Sequence, residues 1–260
     1  MSGTVTEQSP AEQSPAEQSQ TAVALPWPTH EVLNQPPPLE DYDLYGGDIA
    51  LQEAVVREGG GWDDERLRAC GVRLGSAELF AHGRAANTFL PQVALFDRFG
   101  NRINQITYHP SYHALMAESV RWQIHSQPWV EPRRGALVAR MAKSFMMGQV
   151  EQGHGCPITM TFAAVPALRH QPEIASWWVP RITAGSYDGS DRPASEKPGL
   201  TIGMAMTEKQ GGSDVRANTT VAVAAGGRTG PGAAYRLVGH KWFCSAPMCD
   251  AFLTLAHTDG

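Results

Sequence analysis

The feature that most constrains the fold is a change of hydrophobic pattern part-way along the chain. In the first two thirds, apolar residues recur at helical spacing, most clearly in 135–150, where Leu137, Met141 and Phe145 lie four residues apart. Beyond Gly199, short apolar and β-branched runs separated by turns replace that spacing. A run of helices followed by a run of strands predicts two domains of different type, not an alternating α/β fold.

Capping residues, prolines and periodicity place the elements within this frame. Helices are expected at 50–59, from 62–64 onward, and at 76–87, 110–126, 135–150, 157–168 and 172–182. Strands are expected at 200–206, 219–225, 235–238, 242–244 and 251–257, with a Gly- and Pro-rich turn at 226–232. The predicted domains are a helical one at 41–190 and a β domain at 191–260. The last strands lack partners to cover their edges, so we expect the chain to stop before its fold is complete.

The N-terminal segment has a different composition. Ser-Pro-Ala-Glu-Gln occurs at 9–13 and again at 14–18, and prolines continue to 36–38. Few apolar side chains are present to offset the entropy of ordering, so residues 1–40 are predicted to be a disordered tail.

Overall charge and hydropathy give no indication of a polyanion-binding protein or a membrane protein. The net charge of −5 gives no electrostatic reason to expect polyanion binding. No apolar stretch approaches the roughly 20 residues that span a bilayer, and the polar, acidic N-terminus resembles no export signal, so a cytoplasmic protein is expected. The four cysteines form no C-x-x-C pair and are expected to be free and mostly buried.

The stretch most suggestive of chemistry is Met204–Asp214, MAMTEKQGGSD. A strand delivers the Thr207 hydroxyl into a loop that carries two glycines and then Ser213. Glycines at 211 and 212 permit positive φ and close approach of a flat or anionic ligand. An ordinary polar hairpin has the same composition, and local chemistry alone leaves both interpretations open.

Two motifs in this part of the chain resemble a known family. Met206-Thr207-Glu208 followed by Gly212-Ser213-Asp214 is similar to the M-T-E…G-S-D signature of acyl-CoA dehydrogenases, and 235–245, YRLVGHKWFCS, is similar to that family's Y-x-L-x-G-x-K-x-W-I-T strand pair. The longer matches, TEKQGGSD at 207–214 and LVGHKWF at 237–243, resemble the AidB-like branch of adaptive-response proteins.

The resemblance implies an α+β fold of the acyl-CoA dehydrogenase type: a helical N-terminal domain and then an incomplete β-barrel-like domain, the family's C-terminal helical domain being absent. It also implies FAD as cofactor. The residues implied to contact the flavin are Met204, Ala205, Met206, Thr207, Ser213, Phe243, Cys244 and Ser245. Among these, Thr207, Ser213 and Ser245 are also implied to contact substrate.

The activity implied is a flavin-dependent oxidoreductase acting on CH–CH groups of acyl-CoA thioesters. The family's catalytic glutamate lies in a region beyond residue 260, so no catalytic base is assigned, and Glu208 is not that base. The isolated chain is expected to bind FAD weakly or not at all. Two alternatives remain open: a flavin-holding DNA-protection protein, and a truncated product without independent function.

The resemblance also implies partners. These are an acyl-CoA-like small molecule, further copies of the chain in a full-length tetramer, and DNA only through the region beyond residue 260. No membrane partner is expected.

Other candidates have simpler interpretations. His109 and His113 share helical spacing, but Pro110 disrupts it, so surface or capping roles are favoured over a metal site. Cys156 at a helix start is interpreted as a structural thiol, and Trp177-Trp178 as packing residues. The arginines at 66, 68, 133 and 134 are interpreted as solvated.

Overall fold

The computed structural model describes residues 31–258. Most of the predicted disordered tail, residues 1–30, lies outside the described residues. Residues 31–38 fall in a unit separate from the rest and contain no helix or strand, and residues from Leu39 onward form one compact unit. The predicted boundary near residue 190 stays a prediction.

The helical part follows the predicted order, with one short helix, at Gln127–Val130, that was not predicted. Its helices are α1 (Ile49–Arg57), α2 (Asp64–Leu74), α3 (Ala77–Thr88), α4 (Pro110–Arg121), α5 (Gln127–Val130), α6 (Ala136–Val150), α7 (Gly155–Leu168) and α8 (Pro172–Ile182).

Three helix limits differ from the predicted ones by two residues or more. The first helix ends at Arg57 and not at residue 59. The helix starting at Pro110 was expected to continue to 126, but it ends at Arg121. Gln123 has a φ of +57°, a left-handed conformation that cannot continue a right-handed helix. The next helix was expected to begin at Pro157, yet α7 begins two residues earlier, at Gly155. Proline fits the first turn of a helix because the amides there lack helical partners anyway.

A β-hairpin interrupts the region that the pattern predicted to be mostly helical. Strand β1 (Gln92–Phe96) pairs antiparallel with β2 (Arg102–Thr107). The turn between them is built by Asp97, whose Oδ1 accepts from the amides of Phe99 at 2.8 Å and Asn101 at 2.9 Å. Gly100 supplies the φ of +84° that this turn requires.

The strand-rich part consists of two small sheets. Strand β3 (Ile202–Ala205) runs parallel to β6 (Ala251–Thr254). Strand β4 (Val221–Ala224) pairs antiparallel with β5 (Tyr235–Val238) and parallel with β7 (His257–Thr258). Within residues 31–258 these strands do not close a barrel. The predicted strand at 242–244 is wrong: that segment is irregular, and its neighbour Lys241 makes a single bridge to Glu208.

Two apolar cores hold these elements. The larger packs the helices around side chains such as Leu67, Leu115 and Met146. The smaller contains Ala164, Val165, Ile182, Leu200 and Ile202, and therefore joins α7 and α8 to β3. This second core fixes the strand that leads into the glycine-containing motif.

A hydrogen bond inside the second core compensates for a proline in a helix. Pro166 lies inside α7 and has no N–H to offer the carbonyl of Phe162, one turn earlier. The indole Nε1 of Trp129 donates to that carbonyl at 2.9 Å, and the Trp129 ring stacks on Phe162. A side chain thus replaces the missing backbone donor.

The thiols are less buried than expected. All four are free, but only Cys70 is buried, while Cys156 and Cys249 are half-buried and Cys244 is exposed. No helix among the described residues has both the length and the apolar character needed to cross a membrane.

Candidate functional site

The two sequence motifs meet at Thr207 and Trp242. The Thr207 hydroxyl donates to the Trp242 carbonyl at 2.6 Å, and the Trp242 amide donates back to the Thr207 carbonyl at 3.0 Å. These residues are 35 apart in sequence. The paired bonds therefore hold the segment after β3 against the irregular segment 242–245.

The backbone carbonyls that enter this turn are already used. Ala205 accepts from the Thr254 hydroxyl at 2.7 Å, and Met206 accepts from Asn218 Nδ2 at 2.9 Å. The Thr207 carbonyl is taken by Trp242. Among the described residues, the hydrogen bonds of this turn leave the Thr207 amide without an acceptor. Within residues 31–258, that amide is a free donor at the point where the motifs meet.

Glu208 is the buried hub beneath the turn, only 2% exposed. Its carboxylate accepts from the Thr219 amide at 2.7 Å and the Thr220 amide at 2.9 Å, and from both threonine hydroxyls. Lys241 Nζ lies 3.1 Å away. The donation from Thr219 and Thr220 holds the pKa of Glu208 far below its usual range. A carboxylate so fully bonded is not available as a general base.

The two glycines of the turn do not use the positive φ that glycine permits. Neither Gly211 nor Gly212 has a left-handed backbone. Instead, a Cβ at Gly212 would lie 2.4 Å from the Cγ2 of Thr207. Glycine is needed at 212 because Thr207 packs directly against its backbone, whereas Gly211 has open space around it. Ser213 follows on the exposed side of this contact.

The second motif contributes an exposed aromatic side chain. Phe243 is 78% exposed and has a φ of +60°, a conformation that non-glycine residues rarely adopt. Trp242 lies beside it, with ring centroids 6.0 Å apart, and carries Lys209 Nζ over its own ring at 3.7 Å. Cys244 and Ser245 are exposed, and buried Ala246 anchors the segment behind them.

Ser245 borders a cavity of about 250 Å³ shared with the helical part. Its aromatic wall includes Phe89, Tyr108 and Tyr112, and its polar wall includes Glu151 and His154. Tyr108 stacks on Tyr112 with centroids 4.2 Å apart. The structure therefore brings Ser245 to a concave surface.

Several residues at this site were missed by the sequence reasoning. Asn218, Thr219 and Thr220 support the turn through Met206 and Glu208, as described above. Lys197 and Asp250 form a buried ion pair at 2.7 Å, and Asp250 also accepts from the Thr201 amide at 2.8 Å, which ties the start of β3 to the start of β6. Of the residues that support the site, only Lys241 could have been identified from the sequence, because it lies inside the second motif.

The two histidines considered as metal ligands have other contacts. His109 Nδ1 accepts from the Ser111 amide at the start of α4, and its ring stacks on Phe89. His113 Nδ1 pairs with the Tyr187 hydroxyl at 2.8 Å. Over residues 31–258, no group of three or more His, Cys, Asp or Glu side chains is arranged to hold a metal ion.

Comparison with known proteins identifies the family. A family model described as the adaptive response protein AidB N-terminal domain matches residues 34–189. The chain belongs to the AidB N-terminal domain family. The predicted AidB-like membership of the chain is thereby confirmed.

Two relatives extend this assignment to acyl-CoA dehydrogenase-like proteins. The putative acyl-CoA dehydrogenase AidB of Escherichia coli (strain K12) is 48% identical over 236 residues, which cover 90% of this chain and 43% of that protein. Acyl-CoA dehydrogenase family member 11 of Caenorhabditis elegans is 32% identical over 185 residues, covering 67% of this chain and 27% of that protein.

Solved structures show the same fold. The crystal structure of Caenorhabditis elegans ACDH-11 in complex with C11-CoA aligns with a TM-score of 0.73 at 25% identity, over 90% of this chain and 39% of that one. The apo form of Bd2924 aligns with a TM-score of 0.73 at 24% identity, over 86% of this chain and 44% of that one. The predicted acyl-CoA dehydrogenase-like fold is confirmed, and the chain spans less than half the length of each of these AidB-like and acyl-CoA dehydrogenase relatives.

Proposed function

We propose that the two motifs, through residues 204–213 and 243–245, form one wall of a flavin site. The protein would be an acyl-CoA dehydrogenase-like oxidoreductase of the AidB branch, with FAD as cofactor. The observation that carries the proposal is the pair of hydrogen bonds between Thr207 and Trp242. It joins the two motifs whose resemblance implied a flavin.

The chemistry of the residues fits an isoalloxazine ring. The unpartnered Thr207 amide is a donor suited to a ring oxygen or nitrogen, and the exposed face of Phe243 suits a flat aromatic surface. The same wall would include Met204 and Ala205 of β3 and the next residue, Met206. On the other side it would continue through Cys244 and Ser245. When bound, FAD would supply hydride acceptance, and the residues of this chain would orient it and tune its electronics.

Substrate contact is assigned to the hydroxyl groups. Thr207 lies where the motifs meet, Ser213 lies on the exposed side of the turn, and Ser245 borders the cavity of about 250 Å³. The ligand class proposed is an acyl-CoA-like thioester, the class named for the C11-CoA complex of the Caenorhabditis elegans relative. No residue of this chain is proposed as the base that removes a substrate proton.

Flavin binding is tested on the complete gene product that contains these residues. After reconstitution with FAD, we expect the bound-flavin absorbance band at about 450 nm. Thr207→Val should reduce flavin occupancy, because it removes the hydroxyl that ties Thr207 to Trp242. Thr183→Val is the matched control, since the Thr183 hydroxyl bonds only within the last turn of α8. The absence of a flavin band in the unmodified protein would refute the proposal.

Turnover separates an enzyme from a flavin-holding protein. Short branched acyl-CoAs with an artificial electron acceptor should be oxidised by the reconstituted protein. A protein that binds FAD yet oxidises no acyl-CoA would keep the cofactor assignment and remove the oxidoreductase one.

A further inference from the structure

Among the buried lysine and arginine side chains of the described residues, all but one form an ion pair. Three lysine or arginine residues are buried there, namely Arg140, Lys143 and Lys197. Lys143 Nζ lies 2.7 Å from Asp63, and Lys197 Nζ lies 2.7 Å from Asp250. Arg140 is 4% exposed and has no carboxylate within ion-pair distance among residues 31–258. Buried charges in proteins are normally paired, so Arg140 calls for a counter-charge.

The guanidinium of Arg140 is only partly satisfied. Its Nε donates to the Ile124 carbonyl at 2.7 Å, its Nη1 lies 3.1 Å from Met141 Sδ, and its Cζ lies 3.9 Å from the centroid of the Phe162 ring. Its Nη2 is buried and has no hydrogen-bond partner in the part of the chain that the structure describes. Burial lowers the pKa of Arg140 to about 10, so the group stays charged at neutral pH.

A second unpartnered donor lies in the segment that runs alongside Arg140. Ile124 contacts Arg140, and Gln127 Oε1 accepts from Lys143 Nζ at 3.1 Å, one turn further along α6. Ser126 lies between Ile124 and Gln127 in sequence and is fully buried. Its hydroxyl has no hydrogen-bond partner among the described residues. The neighbouring His125 donates from Nε2 to the Ala184 carbonyl at 3.0 Å, so its unpartnered Nδ1 is an acceptor and not part of this donor set.

We propose that Arg140 Nη2 and the Ser126 hydroxyl form a buried binding site for one small monovalent anion, for which chloride is the probe. The anion would serve Arg140 as Asp63 serves Lys143 on the same helix. The site lies in the helical part, apart from Thr207 and Trp242, and does not depend on the proposed flavin function.

The test compares halide dependence of the unmodified chain with that of two variants. The midpoint of thermal unfolding is measured in sodium chloride and in sodium gluconate at equal ionic strength. Chloride should raise the midpoint saturably, on the order of 2–5 °C, because a ligand that binds only the folded state stabilises it. Arg140→Met should abolish the chloride-specific rise, and Arg134→Met, which removes an exposed guanidinium from the same region, should retain it.

A bromide-soaked crystal of the unmodified protein decides the outcome even if Arg140→Met does not fold. An anomalous peak within hydrogen-bond distance of Arg140 Nη2 and the Ser126 hydroxyl supports the proposal. Absence of such a peak, with no difference between chloride and gluconate, overturns it.

Discussion

At the residue scale, Phe243 combines high exposure with a left-handed backbone. A side chain that is 78% exposed gains little from packing, yet its φ of +60° costs about 1–2 kcal/mol relative to a right-handed conformation. Such strain persists where the surrounding structure imposes it, and it is concentrated at functional sites in general. Trp242, the residue before Phe243, is held by two hydrogen bonds to Thr207, and these constrain the backbone at Phe243.

Replacing Phe243 with glycine tests this interpretation. Phe243→Gly should leave the free energy of unfolding unchanged or raise it slightly, because relief of strain offsets the roughly 0.5–1 kcal/mol that glycine costs through unfolded-state entropy. Cys244→Gly is the control: Cys244 is exposed and has no positive φ, so it should lose about 0.5–1 kcal/mol. Urea unfolding of both variants measures the difference, and equal losses would show that Phe243 is unstrained.

Residue types in the motifs were readable from the sequence, but their partners were not. Thr207 and Gly212 were singled out from the sequence, but their contact was not: it is the close packing of Thr207, and not a positive φ, that requires glycine at 212. Glu208 depends on Thr219 and Thr220, which look like ordinary strand residues in the sequence. Such pairings arise from tertiary contact and leave no periodic signal.

At the element scale, α7 depends on a side chain from a different helix. Pro166 removes one backbone donor, and Trp129 of α5 replaces it. The four-residue α5 is thereby fixed against a helix about thirty residues later in the chain. The sequence predicted α7 except for its first two residues. Proline at 157 fits the first turn, and Trp129 offsets the cost of proline at 166.

A double-mutant cycle measures this compensation. Trp129→Phe should cost about 1 kcal/mol or more, because it leaves the Phe162 carbonyl without a donor. In a Pro166→Ala background the backbone amide of residue 166 can donate to that carbonyl, so Trp129→Phe should cost less. The coupling between the two changes, from urea unfolding, is expected to be about 0.5–1.5 kcal/mol. Strict additivity would contradict the arrangement.

Elements with strong local signals were predicted, and those defined by long-range contact were not. Helix α6 and the order of β3, β4, β5 and β6 followed from periodicity and turns, although the side chains that marked α6, Leu137, Met141 and Phe145, are about half exposed. The hairpin of β1 and β2 was overlooked, although its Asp97–Gly100 turn has ordinary turn chemistry, because the surrounding helical pattern dominated the interpretation. The segment 242–245 has strand-like composition, but its hydrogen bonds go to Thr207 and not to a strand.

At the scale of the whole molecule, buried carboxylates link stability to pH. Burial alone would raise the pKa of Glu151, but hydrogen bonds from the side chain and amide of His154 and from the amide of Gly153 lower it to about 2. The pKa of Asp63 is also lowered, by hydrogen bonds from Lys143, Gln127 and Arg66 that outweigh burial. Together with Glu208, these groups are ionised in the folded protein at pH values where the unfolded chain takes up protons.

Acid should therefore destabilise the protein in a defined range. A depressed pKa contributes stability above the unfolded value, and that stability is lost as the pH falls toward the folded value. We expect the free energy of unfolding to be steady down to about pH 5 and to fall from there toward about pH 2. Glu151→Gln should flatten this fall, whereas Glu53→Gln, on an exposed face of α1, should not. Urea unfolding between neutral and acidic pH measures both slopes, and identical slopes in the two variants would contradict the assignment to Glu151.

The paired hydrogen bonds between Thr207 and Trp242 also affect which changes of sequence length this region can accept. The turn at 226–232 lies in the chain between the two motifs, is largely exposed, and holds four glycines with positive φ. The two hydrogen bonds between Thr207 and Trp242 join the motifs directly. The distance between the motifs in the folded protein therefore does not depend on the length of that turn. Insertions and deletions there can accumulate as neutral drift, and the geometry of the site is insulated from them.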